Sequence, residues 1–350
     1  MSSQFEKSML KTLAKYSLLC GLLISIGSSQ LCAGQQQGQQ RQDQVTVQQD
    51  RVARRGQEEA ANIIQFDGEN AYKALKWVCD LGPRISGSEA MKQQQDGLEK
   101  YFEELGAEVV RQNFDVAHPV NRQRTTLTNL IVHFHPDREQ RILICCHYDT
   151  RPYPDMDAYN PRGVFHGAND GASGVGLLVE LGRHVINLPG DVGIDFVFFD
   201  AEEFIYDRQR DELFVGSTYF ARDYAQRPPD YVYRRGVLVD MVGDASLEIY
   251  KEKNSLYHAR DLTEQIWATA KELGIKEFKQ RTRHTIRDDH LPLNEIAKIP
   301  TCDIIDFDFP TPRDRNKYWH TTNDIPENCS ADSLAKVGTV LVHWLNEVVK

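Results

Sequence analysis

Five short segments carry residue types that can bind and use a metal ion. Cys146-His147-Tyr148-Asp149-Thr150 places an imidazole and a carboxylate at the end of an apolar run. Gly167-Ala168-Asn169-Asp170-Gly171-Ala172-Ser173-Gly174 sets Asp170 in a turn of small residues, where the backbone approaches closely enough for a carboxylate to reach a metal from two sides. In Phe199-Asp200-Ala201-Glu202-Glu203 an apolar run passes straight into two adjacent acids, one free to bind a metal and the other to transfer protons. Asp240 ends a further apolar run, and His320 lies within Tyr318-Trp319-His320-Thr321-Thr322-Asn323-Asp324. Imidazoles and carboxylates without cysteine suit zinc in an open catalytic site rather than a closed structural one. Each segment alone has an ordinary explanation. A single His-x-Asp or Glu-Glu pair is usually a solvated turn, Asp170 could cap the next helix, and His320 could be a hydrogen-bonded core histidine. It is their order and shared placement at strand ends that set the combination apart.

The elements that must position these residues are legible as alternating β-rich and amphipathic stretches. Apolar runs at 129–134, 142–147, 194–200, 236–242 and 302–307 read as strands, and their near-continuous Ile, Val, Leu and Phe suit burial on both faces. Helical spacing occupies 69–81, 89–105, 175–186, 262–273 and 333–349, with Ser330 and Asp332 as caps for the last. The expected fold is a three-layer α/β/α sandwich around a mixed, mostly parallel sheet. Open sheets of this kind hold ligands in the crevice at the carboxyl ends of their strands. His147 and Asp149, then Asp200, Glu202 and Glu203, then Asp240 and Asp244 all fall there, so convergence is expected.

Outside these elements the chain changes character. Lys7, Lys11 and Lys15 precede an apolar run over 16–26 and the small residues Gly27, Ser28 and Ser29, the pattern of a secretory signal over 1–33. The run is short for a bilayer span, which takes about 20 apolar residues, so no stable membrane insertion is expected after cleavage. Residues 34–57 are dominated by Gln, Arg and Gly and read as a disordered linker; 58–350 reads as one catalytic domain. The expected location is outside the cytoplasm, periplasmic or secreted. A formal net charge of −10 without a basic stripe argues against nucleic acid as a partner. Past the leader five cysteines remain, an odd number without a C-x-x-C pair, which argues against a disulfide scaffold.

With these residues in place the sequence resembles metallopeptidase family twenty-eight, the zinc aminopeptidases, and their relatives the glutaminyl-peptide cyclotransferases, over nearly the whole globular part. The resemblance implies metal ligands at His147, Asp170, Glu203, Asp240 and His320. Asp170 would bridge two zinc ions in an aminopeptidase. In a cyclase Asp170, Glu203 and His320 would hold one, leaving His147 and Asp240 beside it. Glu202 matches the general acid/base of both, and the substrate is a peptide or protein N-terminus.

Three features resemble the cyclases more. Thr285-Ile286-Arg287-Asp288-Asp289-His290-Leu291-Pro292 is similar to their Asp-Asp-His-Ile-Pro segment and gives Asp288 a place beside Glu202 and Asp240. Carboxylates so close share protons, leaving a donor near neutral pH. Trp319 precedes the ligand histidine, as a substrate-contacting tryptophan does in cyclases, and the 203–216 stretch is long. There are departures as well. Arg208 or a neighbour stands where the cyclases place a second tryptophan, Arg287 replaces a glutamine, and 311–318 carries extra charged residues. Of the disulfide that the resemblance would imply, only Cys146 is available, its partner position falling at about Val175. Two enzymatic activities therefore stand open, cyclisation of N-terminal Gln with release of ammonia and hydrolysis of the first peptide bond, beside a secreted binding module without turnover.

Overall fold

In the computed structural model, which describes residues 65–308 and 318–349, strand β3 (Gln140–His147) alternates its side chains between two apolar cores. Ile142, Ile144 and Cys146 face one, Leu143 and Cys145 the other. Neighbouring strands β2 (Arg124–Phe134), β4 (Val192–Phe199) and β5 (Val232–Asp240) divide in the same way. That is why their sequences read as unbroken apolar runs. The larger core packs under helices α1 (Gly68–Asp80), α2 (Glu89–Leu105), α3 (Ala172–Val185), α6 (Arg260–Glu272) and α8 (Ala331–Val348). The smaller packs under α4 (Val215–Gln226) and α7 (His290–Glu295). The result is the expected three-layer α/β/α sandwich. Strand β1 (Glu108–Ala117), the pair β6 (Ile249–Lys251) and β7 (Phe278–Thr282), helix α5 (Lys253–His258) and a 3-10 turn (Pro326–Asn328) complete the described elements with β8 (Thr301–Ile305).

The sheet runs β1-β2-β4-β3-β5-β8. Its β1–β2 and β2–β4 pairings are antiparallel, whereas β4, β3, β5 and β8 are parallel to one another. The carboxyl ends of those four strands therefore lie along one edge. The chain passes from β3 to β4 on one side and then from β4 back across to β5 on the other, so successive connections run in opposite directions and a crevice opens at the end of β3. Helix ends follow local chemistry: the Ser88 side chain accepts from Met91 N–H and Ser330 accepts from Asp332 N–H. Asp332 is thus the first-turn residue that the cap serves and not itself the cap. The expected leader and linker lie outside the described residues, as does all but Tyr318 of 311–318. Among the described residues no helix is long and apolar enough to cross a membrane.

At the opposite edge of the sheet a buried ion pair ties β3 to β4. Arg141 donates through Nε to Asp195 Oδ2 at 2.9 Å and to the carbonyls of His135, Arg138 and Phe134, and Tyr233 Oη donates to Asp195 Oδ2 at 2.6 Å. Burial alone would raise the Asp195 carboxyl, but His133 and Arg141 hold it below its ordinary value. Both partners are fully buried, so removing one charge leaves the other uncompensated. Asp195→Asn is expected to cost about 3–5 kcal/mol in urea unfolding. A loss within error of zero would mean that the neighbouring carbonyls alone satisfy Arg141.

Candidate metal centre

Each strand end at the crevice delivers one donor. His147 is the last residue of β3 and Asp240 the last of β5, while Glu202 and Glu203 follow β4 after a turn at Ala201, whose φ is +59°. Met241 (φ +46°) and His320 (φ +54°) are also left-handed, so three non-glycine residues at or beside the donors hold a backbone conformation that side chains disfavour. Asp170 reaches the same point from the turn before α3. Gly171 there has φ +96°, and a Cβ on it would sit 3.1 Å from His147 Cε1 and 3.0 Å from the Asp149 carbonyl oxygen. Only glycine fits between the ring and the backbone, which explains the small-residue turn around Asp170.

Two groups of donors result. His147 Nε2 lies 3.2 Å from Asp170 Oδ1 and 3.1 Å from Asp240 Oδ1. His320 Nε2 lies 3.2 Å from Asp170 Oδ2 and 3.3 Å from Glu203 Oε1. All five residues are buried, the donor atoms within each group lie within 4.8 Å of one another, and Asp170 is shared by both. The donor chemistry, imidazole and carboxylate only, fits zinc. A structural observation agrees: Asp170 Oδ2 is buried and accepts no hydrogen bond, although it is aimed at the His320 ring nitrogen. Asp244, expected to join this convergence, does not. Its carboxylate accepts from Ser246 N–H and its backbone pairs with Cys329, one turn past the strand end.

Several residues orient the donors; of these Asp149 was expected at the strand end, whereas Arg151, Asp155 and Asp324 were not singled out by sequence reasoning. Asp149 accepts from the backbone N–H groups of Glu202 (3.2 Å) and Glu203 (2.9 Å), locking the β4 turn onto the end of β3. Arg151 forks onto Glu203, with Nη2 to Oε1 at 2.8 Å and Nε to Oε2. Asp324 accepts from the N–H groups of Asn169 (2.7 Å) and Asp170 (3.1 Å), fixing the Asp170 turn. Asp155 stands 3.5 Å from His320 Nδ1 and is bridged at 2.6 Å by Arg208, which itself approaches Nδ1 at 2.9 Å. The Arg208 guanidinium can only donate, so Nδ1 accepts from it in this arrangement, and Asp155 holds the arginine against the ring while Nε2 is turned to the donor group. Such oriented carboxylates are visible in sequence only as acids near histidines, because nothing local distinguishes a supporting acid from a donor.

The electrostatics separate the two adjacent glutamates. Burial would raise the Glu203 carboxyl, but Arg151 and His320 hold it well below its usual range. For Glu202 the balance is reversed: burial and then the Glu203 charge push it well above its usual range, with Asp288 and Asp289 adding to the effect against the opposing pull of His147. Asp288 is itself raised well above normal by burial, Asp240 and Asp289. Asp289 rises to about 7, chiefly through burial, against the opposing hydrogen bond from Ser217 Oγ. Adjacent side chains thus acquire opposite tendencies, a retained negative charge at Glu203 and a raised proton affinity at Glu202.

These groups floor a cavity of about 280 Å³ that opens between the strand ends. Glu202, Asp240 and Asp288 face it with Asp170, Glu203 and His320; Leu213, Phe214, Ile286, Phe307 and Trp319 make its apolar wall. Trp319 packs on His320 with ring centroids 4.0 Å apart, and the Arg208 guanidinium carbon lies 5.7 Å from the Trp319 ring centroid. Of the residues expected to meet, Asp170, Glu202, Glu203, Asp240, Asp288, Trp319 and His320 line one cavity, and His147 reaches Asp170 and Asp240 without lining it.

Comparison with known proteins places this geometry in a family. The model for Peptidase family M28 matches residues 129–345. The structure is similar to the crystal structure of Fimbriiglobus ruber glutaminyl cyclase, with TM-score 0.76 and 38% identity over 81% of this chain and 96% of that one. It is also similar to a leucine aminopeptidase precursor from Bacteroides thetaiotaomicron, with TM-score 0.74 and 33% identity over 81% and 98% of the two chains. A glutaminyl-peptide cyclotransferase of Bothrops jararaca is 26% identical over 328 residues, covering 82% of this chain and 85% of its own. The relatives are enzymes, and the chain belongs to Peptidase family M28.

Proposed function

We propose that the protein is a zinc-dependent glutaminyl-peptide cyclotransferase, converting N-terminal Gln of exported peptides or proteins to pyroglutamate with release of ammonia. The observation that carries this reading is the run of acids, half-buried Glu202 with buried Asp240 and Asp288, facing one cavity walled in part by Trp319. Asp170, Glu203 and His320 would hold zinc, whose chemistry at such a site is polarisation of the γ-amide carbonyl. The chain's own residues supply the rest. Trp319 and the apolar wall pack the glutaminyl side chain and exclude water, bringing the α-amine near the carbonyl carbon (Cδ) of the γ-amide. As the amine nitrogen bonds to that carbon, its proton passes to Glu202, which returns it to the departing amide nitrogen, so that ammonia leaves. Asp288 and Asp289 raise the proton affinity of Glu202, which suits it to take that proton and hand it on.

A second reading rests on the other donor group. His147 and Asp240 share Asp170 with the first group, which is the arrangement two metal ions would use, and Glu202 would then activate water against the first peptide bond. Incubating the protein with Gln-initiated and Leu-initiated peptides separates the two, with products followed by mass and zinc content measured in parallel. The expected product from the Gln peptide keeps its length and has lost ammonia. Free Leu released from the second peptide, with the Gln peptide uncyclised, would replace the cyclase reading by the aminopeptidase one.

A further inference from the structure

The crevice is acidic at its floor and basic at its rim. Three arginines line the cavity, and their situations differ. Arg151 is buried and committed to Glu203. Arg208 is 44% exposed, bridges to Asp155 through Nε and Nη2, and lies against the outer side of Trp319. Arg287 is exposed and, among the described residues, has no carboxylate within ion-pair distance and no hydrogen-bond acceptor for its guanidinium. Its chain neighbours Ile286 and Asp288 are buried and line the cavity. The backbone that delivers Asp288 to the floor thus leaves a guanidinium at the mouth.

We propose that Arg287, with Arg208 lining the same cavity, recognises a carboxylate carried by the substrate one residue beyond its N-terminal residue. The inference rests on the N-terminal-peptide reading above and adds a specificity to it. At about 280 Å³ the cavity is at the small end for ligand sites, so it holds the first residue and little more. With that residue's amine among the floor acids, the next one lies at the mouth, within reach of the rim arginines. A chain of formal net charge −10 would otherwise repel acidic peptides. Charges beyond about 8 Å are screened at physiological salt, so the local guanidiniums decide which side chain is accepted at the rim. Five donors in a planar fork match a carboxylate in a way that a lysine would not. The carboxylate could belong to an Asp or Glu side chain or to the C-terminus of a dipeptide.

The test compares kcat/KM for Gln-Glu-, Gln-Ala- and Gln-Lys-initiated tripeptide amides, and for the Gln-Ala dipeptide as free acid and as amide. At low salt the wild-type protein is expected to favour Glu over Ala by up to ~5-fold, the upper range for an exposed ion pair, with Lys last. The free-acid dipeptide against its amide tells a terminal carboxylate from a side-chain one. Arg287→Gln should flatten the order and Arg287→Glu should reverse it in favour of Lys. A flat wild-type order, or an order that survives Arg287→Glu, overturns the proposal even if every Gln peptide is cyclised. If none is cyclised, the cyclase reading fails separately. The order is then read from the same series begun with Leu, or from binding constants of those peptides to the Glu202→Gln protein.

Discussion

Glu202→Gln is expected to lose turnover by at least ~100-fold while keeping its fold and its zinc. The two adjacent glutamates differ in what surrounds them. Glu203 is gripped by Arg151 and faces His320, so its charge is retained where a metal would need it. Glu202 is oriented only through its backbone, by Asp149, and its side chain is left against other acids that favour its protonated form. An amide at that position has nearly the same shape and packs in the same space, but it can neither take the proton of the attacking group nor return it to the leaving one. Because Glu202 belongs to neither donor group, metal content and thermal stability should stay near wild type. Near-normal turnover in the variant would remove Glu202 from the mechanism, whichever of the two reactions the protein performs.

Removing His320 or Glu203 should abolish zinc and activity together. His320 Nε2, Glu203 Oε1 and Asp170 Oδ2 form one convergent group, and a lost ligand should weaken metal affinity by more than the ~10–100-fold typical of residues that only support one. His320→Ala is the cleaner variant. It also frees Asp155 and Arg208, but these remain paired to each other near the surface. Glu203→Gln strips the buried Arg151 of most of its compensating charge, so part of its effect will be on folding, and a thermal-unfolding measurement must accompany the metal analysis. Full zinc occupancy in both variants, in folded protein, would mean that the metal is held elsewhere. Loss of zinc with stable folding in His320→Ala supports the group around Asp170 directly.

The strands that form the floor of the crevice were legible because burial on both faces leaves an unbroken apolar run, and such a run ending in an acid or histidine marks a site-bearing strand end. Helix 89–105 was equally plain from its helical spacing, and the structure closes it with Ser88 as N-cap and a left-handed Gly106 at φ +98°. β1 was not legible. It is an edge strand, half exposed along most of its length, so its composition Glu-Val-Val-Arg-Gln-Asn-Phe carries little apolar signal. α4, α5 and α7 were missed as well; α5 and α7 have six residues each, too short to show a helical period, and are held by packing rather than propensity.

At the site the division is similar. Residue types and their placement at strand ends were enough, by themselves, to bring forward His147, Asp170, Glu202, Glu203, Asp240 and His320, because each must be chemically competent wherever the fold puts it. Which of them face one another was decided only by the tertiary structure. It sorted the donors into two groups sharing Asp170, turned Asp244 away, and gave Asp149, Asp155 and Asp324 supporting contacts with no local signature. It also set the opposed proton affinities of Glu202 and Glu203. Two neighbouring acids are equivalent in sequence, and they diverge only because Arg151, distant along the chain, folds against one of them.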